Sequence, residues 1–415
     1  MNERQVKRLL AAAWIAALCV VPAGSALAAG KISDGVVKIG VLTDMTGYYS
    51  DLAGPGVVLA TKLAIEDFGG KVAGAPIQMV SADHQLKADI AAGIARKWID
   101  EDKVDVFIDV NSSSAALAVM PIVNEKKKIA ILSSPGTTAI TGALCNPYTI
   151  HYTYYNWALA NGTGREVVRD GGKSWFFVTA DYAFGKSLET DTSEVVKSAG
   201  GKVLGSVRYP SPGTTDFSSY ILQAQSSGAQ IIGLANSGSD TINCIKSANE
   251  YGATKSQKLA GLLIFITDIH SLGLQMSQGL YATTSFYWDM DEATRKWSRR
   301  FQSHPDNKKK AMPSMAQAGV YSAVMHYLQA IQAAGTDDAD AVVAKMKATP
   351  VNDFFAHDGH IGPDGLHRHD MYLVQVKSPE ESKYPWDYYK IVRKIPASEA
   401  FPTVEQQKCP YAMKK

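Results

Sequence analysis

Hydroxyl-bearing turns that follow apolar runs are the residues of this chain best suited to holding a small ligand. Asn111-Ser112-Ser113-Ser114 ends one such run and opens a helical segment. Serines at a helix start offer hydroxyls and free backbone amides, which together cradle a carboxylate or phosphate or simply cap the helix. Ser133-Ser134-Pro135-Gly136-Thr137-Thr138 follows the next apolar run and is equally rich in small polar groups. Two such turns on neighbouring strands can aim at one anion. A third segment, Asp181-Tyr182-Ala183-Phe184-Gly185-Lys186-Ser187, formally matches a permissive phosphate loop. Tyr182 and Phe184 fill the space that several converging amides would need around phosphates, so they read better as walls for an apolar or aromatic ligand. Asn236 and Asp268 stand after later apolar runs. Asn236 can donate or accept, and Asp268 can meet an ammonium or hydroxyl group, whereas Ser239 and Asp240 read as helix caps. Tyr48, in a Gly-rich turn, and Tyr155, in the aromatic stretch 151–157, complete the candidates.

Other chemistries find less support. His357, His360, His367 and His369 with Asp358 and Asp364 have metal-like composition, and His367 and His369 alternate as on one strand face. Gly359, Gly362, Pro363 and Gly365 mark the segment as an exposed turn or hairpin, where polar residues are ordinary, so no metal site is expected. No Gly-x-Ser-x-Gly elbow, His-Glu-x-x-His or Cys-x-x-Cys is present, which leaves hydrolase and redox readings without a motif. No cofactor is called for, and the chain is not expected to be an enzyme.

These turns must be positioned by regular elements, and the chain has the composition for them: 415 residues, 46% hydrophobic and 20% charged. Length and composition suit about two globular domains and exclude disorder, collagen and coiled coil. Strand and helix signals alternate: strand 36–42, a helix from 57, strand 76–82, helix 87–100, strand 104–110, helix 114–125 and strand 129–133. After a connecting stretch 139–169 the alternation resumes with strand 174–180, helix 185–199, strand 202–208, helix 216–227, strand 230–235, helix 240–251 and strand 259–265. A strand near 279–286, a charged segment 291–310, a helix over 314–334 and a turn-rich, β-like region 351–392 follow. Alternation of this kind predicts α/β architecture, with parallel sheets covered by helices on both faces. In open parallel sheets ligands sit outside the carboxyl ends of the strands, so two such lobes would face each other across a cleft.

The first 28 residues hold a basic start (Arg4, Lys7, Arg8), an uncharged stretch Leu9–Val21 and an Ala26-Leu27-Ala28 ending. This reads as a secretory signal cut after Ala28, its apolar part too short for a lasting anchor. The formal charge of +2 then belongs to the signal, and nothing in the remaining balance recruits nucleic acid or anionic membrane. Export changes the meaning of the cysteines, since disulfides persist outside the cytosol. Cys19 leaves with the signal. Of the remaining three, Cys145 in a turn and Cys409 in the tail are the freer pair, so they are expected to bond and leave Cys244 buried and free.

The order of these motifs resembles the periplasmic substrate-binding proteins of ABC transporters, of the branched-chain amino acid and aromatic acid type. The residues carrying the resemblance are Val37-Lys38-Ile39-Gly40-Val41-Leu42-Thr43-Asp44-Met45-Thr46-Gly47, Gly54-Pro55-Gly56, Ser112-Ser113-Ser114, Ser134-Pro135-Gly136 and Asp181-Tyr182-Ala183-Phe184-Gly185. The endings His369-Asp370-Met371-Tyr372-Leu373 and Trp386-Asp387-Tyr388-Tyr389-Lys390 look like a subgroup linked to small organic acids.

The resemblance implies two Rossmann-like lobes joined by a hinge, with the ligand captured as they close. The first would comprise 31–150 with 286–345, the second 151–285 with 346–392, followed by a tail 393–415. A ligand carboxylate would meet Ser112 or Ser113, the Gly136 backbone and Thr138, an aromatic at Phe184 or Tyr182 would cover it, and Asp268 stands loosely where amino-acid binders place an acid for the ammonium. The implied protein is a monomeric periplasmic receptor that delivers a small carboxylate, aromatic acid or hydrophobic amino acid, to a membrane permease. A ligand-presenting receptor for a sensor protein and a binder of urea-like amides are the alternatives.

Overall fold

The computed structural model describes residues 32–414, so the expected signal over 1–28 lies outside the described residues. Five apolar or β-branched segments and one short edge strand build the first sheet: β1 (Val37–Thr43), β2 (Lys71–Val72), β3 (Ala75–Asp83), β4 (Val106–Asp109), β5 (Ile129–Leu132) and β6 (Thr149–His151). Their spatial order is β2-β3-β1-β4-β5-β6, parallel throughout except for β2 at the edge. The central strands β4 and β5 are buried along their whole length, because helices cover both sheet faces. Those helices include α1 (Gly54–Phe68), α2 (Ala88–Asp100) and α3 (Ser113–Glu125).

The chain then enters a helical connection, α4 (Asn156–Leu159), a π-helical turn over Ala160–Gly164 and α5 (Arg165–Arg169). A second parallel sheet follows, with β7 (Ser174–Ala180), β8 (Lys202–Tyr209), β9 (Ile231–Ala235) and β10 (Lys258–Gly261) in the order β10-β9-β7-β8. Its helices are α6 (Ala183–Ser198), α7 (Ser218–Ser226), α8 (Ser239–Glu250) and α9 (Ile266–Leu272). An antiparallel sheet of β11 (Tyr281–Thr284), β14 (Met371–Val376) and β15 (Tyr389–Ile395) and a small hairpin of β12 (His360–Ile361) with β13 (His367–Arg368) complete the strands. The architecture is the expected one, two α/β lobes with parallel central sheets.

One apolar core runs through both lobes, from Ile39 and Leu63 to Trp175, Phe177 and Tyr327, and a smaller one under α2 and α3 packs Trp98 on Phe107 at 5.8 Å. Each such fully buried side chain contributes about 1.5–3 kcal/mol. The core also positions loops. A long helix over Met315–Ala334 packs on α1, and its N-cap Ser314 donates to Leu52 O at 2.6 Å while Gln317 Nε2 donates to Ala53 O at 3.3 Å. A side chain at Gly56 would meet Gln317 within 2.1 Å, so only glycine lets this pair hold the 49–53 loop.

Several elements differ from the sequence reading. The charged segment contains a helix over Glu292–Ser303, whose buried Thr294, Trp297, Ser298 and Phe301 are separated by so many charges that the period is masked. The connecting stretch 139–169 holds strand β6 and, from Asn156 to Arg169, is helical despite Asn161, Gly162 and Gly164, poor helix formers that coincide with its π turn. The run 259–265 is strand only to Gly261; Leu262–Phe265 lead on to α9. The histidine segment is not a uniformly exposed turn. His367 and His369 are buried, and they hydrogen-bond Tyr152 O at 3.0 Å and Thr153 O at 3.1 Å respectively. His360 stays exposed beside Asp358 at 3.0 Å. Among the described residues no cluster is arranged to hold a metal ion.

Cys145 and Cys409 are bonded, with Cα atoms 5.7 Å apart, and Cys244 is buried and free, as expected. The bond closes a loop of 264 residues and is backed by Gln407, which accepts from Tyr155 OH at 2.9 Å and donates to Thr141 Oγ1 at 3.0 Å. Disulfides typically stabilise by about 2–4 kcal/mol, largely through the unfolded chain. Replacing both cysteines by serine should therefore lower the unfolding free energy by that amount in denaturant titration, and an unchanged midpoint would contradict it.

Buried carboxylates give a second test. Asp268 caps α9, accepting from Phe265 N at 2.8 Å, and burial pushes its pKa up from 3.8 to about 7. A raised carboxyl pKa penalises the fold only where the group ionises: the penalty is absent below about 4, grows as pH rises towards 7 and is constant above. Asp268→Asn should thus gain melting temperature relative to wild type between pH 4 and 7. Parallel curves would show that Asp268 carries no such penalty.

Candidate ligand-binding site

The carboxyl ends of both parallel sheets face each other, and an empty space of about 230 Å3 lies between them. One wall comes from the loops after β1, β4 and β5: Tyr49, Leu52, Asn111, Ser113, Ser134 and Gly136. The facing wall comes from the second lobe: Tyr182, Phe184, Ser237 and Leu263. Pro135 and Tyr154 close the lining, which contains no carboxylate, amine, guanidinium or imidazole among the described residues.

Polar groups gather on the first-lobe side. Ser112 is the N-cap of α3 but its side chain makes no capping bond, so the first amides of that helix keep their donors unused by it. Ser113 Oγ accepts from Thr137 N at 3.3 Å, leaving its own proton free to donate into the cavity. Ser134 Oγ hydrogen-bonds the carboxyl of Asp109, and Ser134 O accepts from Tyr154 OH. Asp44 orders the next loop, accepting from Gly47 N at 2.9 Å and Tyr49 N at 3.0 Å while its own N donates to Asn111 Oδ1 at 2.8 Å. Hydroxyls, amides and a helix start can bind a carboxylate without any cation.

Aromatic groups close the other side. Tyr49 OH and Tyr182 OH hydrogen-bond each other across the cleft, and burial raises both phenol pKa values. A Cβ at Gly136 would lie 2.3 Å from Asn156 Oδ1 and 3.0 Å from the Phe184 ring, so glycine is what lets Phe184 come this close. Asn156 Nδ2 donates to Phe184 O at 3.1 Å, fixing that loop from the hinge side. Gly238, at φ +60°, brings the second lobe against Tyr48 O, 2.6 Å from where its Cβ would stand. In the second lobe the buried Ser237 Oγ has no hydrogen-bond partner among the described residues.

Of the candidates named from sequence, Ser113, Gly136, Tyr182 and Phe184 line this space. Ser112 lies beside it, buried at the helix start. Tyr48 is half-buried next to the lining residue Tyr49, its carbonyl accepting from Ser239 N at 3.5 Å. Thr138 instead joins the lobes outside the cavity, with Oγ1 3.1 Å from Ser187 Oγ, and Ser187 in turn donates to Asp191 at 3.1 Å. Tyr155 stacks on Phe401 and bonds Gln407 at the tail. Asn236 is buried, accepting from Thr241 Oγ1 at 2.7 Å and bonding Cys244, and Asp268 is spent on its helix cap. Of the other lining residues, Asn111, Ser134 and Pro135 belong to the turns singled out from sequence, Tyr154 to the aromatic stretch 151–157, and Tyr49 and Ser237 stand next to the candidates Tyr48 and Asn236. Leu52 and Leu263 carry no signal that separates them from core leucines.

The model of the periplasmic binding protein family matches residues 36–383. Among solved structures, a periplasmic binding protein from Burkholderia mallei is 53% identical, with 91% of this chain and 99% of that one covered and a TM-score of 0.88. A branched-chain amino acid ABC transporter periplasmic ligand-binding protein from Burkholderia xenovorans LB400 is 41% identical, covering 91% and 100%, with a TM-score of 0.80. At 20% identity, covering 86% and 96% with a TM-score of 0.75, a solute-binding protein of an ABC transporter from R. palustris, in complex with benzoate, shares the fold. A search of curated proteins finds no match. With its fold, its cleft and a family match over most of its length, the chain belongs to the periplasmic binding proteins, the substrate-binding receptors of ABC transporters.

Proposed function

We propose that this protein is the receptor of an ABC importer and captures a small aromatic carboxylate by lobe closure. The observation that carries this reading is the lining itself: aromatic rings and neutral hydrogen-bond donors enclose the space, and no acidic group enters it. The carboxylate would face Ser113, Ser134, Gly136 and the start of α3, and the ring would lie against Phe184, Tyr182 and Tyr154. An unmodified amino acid would bring its ammonium into a closed space without a counter-charge, which is costly. The relative from Burkholderia xenovorans favours the second reading, a branched-chain amino acid, by its name. The benzoate complex of the R. palustris protein supports the first by showing that this fold can hold an aromatic acid.

Capture requires no covalent step, and we read the protein as a non-catalytic, monomeric receptor in the periplasm with no nucleic-acid partner. A ligand touching both walls favours the closed state, which the permease then recognises. The Tyr49–Tyr182 and Thr138–Ser187 bonds join the two lobes and would add to that preference in the closed form.

A thermal-shift screen over benzoates, hydroxybenzoates, leucine, isoleucine and urea-like amides separates the readings: benzoates should stabilise and the amino acids should not, and the reverse would establish the second. For a stabilising aromatic acid, Ser113→Ala should weaken binding by about 1.5–3 kcal/mol, roughly 10- to 150-fold by calorimetry, through loss of a charge-assisted hydrogen bond. Undiminished affinity would remove Ser113 from the site. Phe184→Ala should cost aromatic acids more affinity than aliphatic acids of similar size, and equal losses would mean that the ring serves lobe packing alone.

A further inference from the structure

One buried acid stands directly behind the ligand cleft. Asp109 ends β4, is fully buried, and makes two side-chain hydrogen bonds, with Thr43 Oγ1 at 2.7 Å and with the cavity-lining Ser134 Oγ. Among the described residues it forms no ion pair. Its backbone is held at φ +80° and that of Val110 at +49°, the left-handed region in which Asp and Asn are better tolerated than most residues, so the loop that delivers Asn111 and Ser113 leaves the strand from this position.

Among the described residues the groups around Asp109 offer no cation. On β1, Thr43 is followed by Asp44, whose carboxylate is occupied by the amides of Gly47 and Tyr49. Beyond β1, Asp83 accepts from Thr46 and Gln85, and the buried His84 is held neutral, its pKa pushed down to about 4 by burial. On the other side β5 contributes Ser133 and Ser134, β6 carries a buried His151 whose pKa burial likewise lowers to about 4, and Tyr154 donates its proton to Ser134 O. An ionised Asp109 would be a buried, unpaired charge separated from the ligand by one hydroxyl.

The proton on Asp109 sets the polarity of Ser134. When Asp109 is ionised, both Thr43 and Ser134 donate to it, and Ser134 turns only lone pairs towards the cavity. When Asp109 is neutral it can donate to Ser134 Oγ, which frees the serine proton to point at a ligand carboxylate. We propose that Asp109 is a positioning residue that is protonated whenever the cleft holds a carboxylate, so that capture of the anion takes up one proton from solution. This rests on the carboxylate reading of the cleft given above. It makes the site anion-selective through a neutral chain, carboxylic acid to serine to ligand. The bookkeeping closes: one proton enters on binding and leaves on release, and no bond to carbon is made or broken.

Burial raises the Asp109 pKa from 3.8 to about 6, which places the change within reach of experiment. Benzoate serves as the probe, since a carboxylic acid of pKa about 4 is ionised throughout the range used. If only the neutral form of Asp109 binds, the apparent affinity follows the protonated fraction and falls about 50-fold between pH 6 and 8. Calorimetry in buffers of different ionisation enthalpy should show uptake approaching one proton at pH 8. Asp109→Asn keeps the backbone preference and presents a permanent amide donor, so it should abolish both the proton uptake and the pH dependence, with affinity at pH 8 above that of wild type. No proton uptake by the wild type, or parallel pH profiles for the two proteins, would overturn the proposal. If no aromatic or aliphatic carboxylate binds at all, the ligand class is wrong, and Asp109 is judged in the ligand-free protein: the melting temperature of Asp109→Asn relative to wild type should rise between pH 4 and 6, and a constant difference overturns its protonation.

Discussion

On the carboxylate reading proposed above, the cleft has to hold an anion out of water using neutral dipoles alone. A carboxylate taken from water loses its hydration and must regain it from the protein. Among the described residues no lysine or arginine lines the cavity, so the donors on hand are hydroxyls, backbone amides and the start of α3. Dipoles are weaker than charges and act only if they converge, which demands that loops from different strands be fixed relative to one another. Parallel strands provide this: β1, β4 and β5 lie side by side with their carboxyl ends level, and Thr43, Asp109 and Ser134 tie the three ends together.

The facing lobe supplies what dipoles cannot, the exclusion of water. Phe184 fits over Gly136, and Tyr49 meets Tyr182, so closure places rings where solvent would otherwise screen the donors. Polar bonds join the lobes both at the cavity, Tyr49 with Tyr182, and outside it, Thr138 with Ser187. The tail adds a further tie, since β15 belongs to the antiparallel sheet while Cys409 beyond it is bonded to the loop before β6.

Much of this was legible in the sequence, for identifiable reasons. Buried parallel strands are continuous apolar runs, so β1, β4, β5, β7 and β9 stand out, and their order places the informative turns. Loops have no period, however. Nothing in Tyr48-Tyr49 or Asn236-Ser237 indicates which neighbour lines the cavity, and in both pairs the second does. Asp268 and Thr138 have the right chemistry in the right loops, yet one is used by its helix and the other by the opposite lobe. The role of Asp109 was hidden altogether, because a lone Asp inside an apolar strand shows its partners only when Thr43 and Ser134 are brought to it by the fold. The burial of His367 and His369 escapes the sequence for the converse reason: glycine-rich flanks suggest an exposed turn or hairpin, and the hairpin is there but folded against Tyr152.

A crystal structure of the protein with bound benzoate tests the central claim most directly. The carboxylate should lie at the first-lobe wall, within hydrogen-bonding distance of Ser113 Oγ and Gly136 N, with the ring against Phe184 and both lobes closed. A carboxylate turned towards the second lobe, or a ligand lodged outside this cavity, would contradict it.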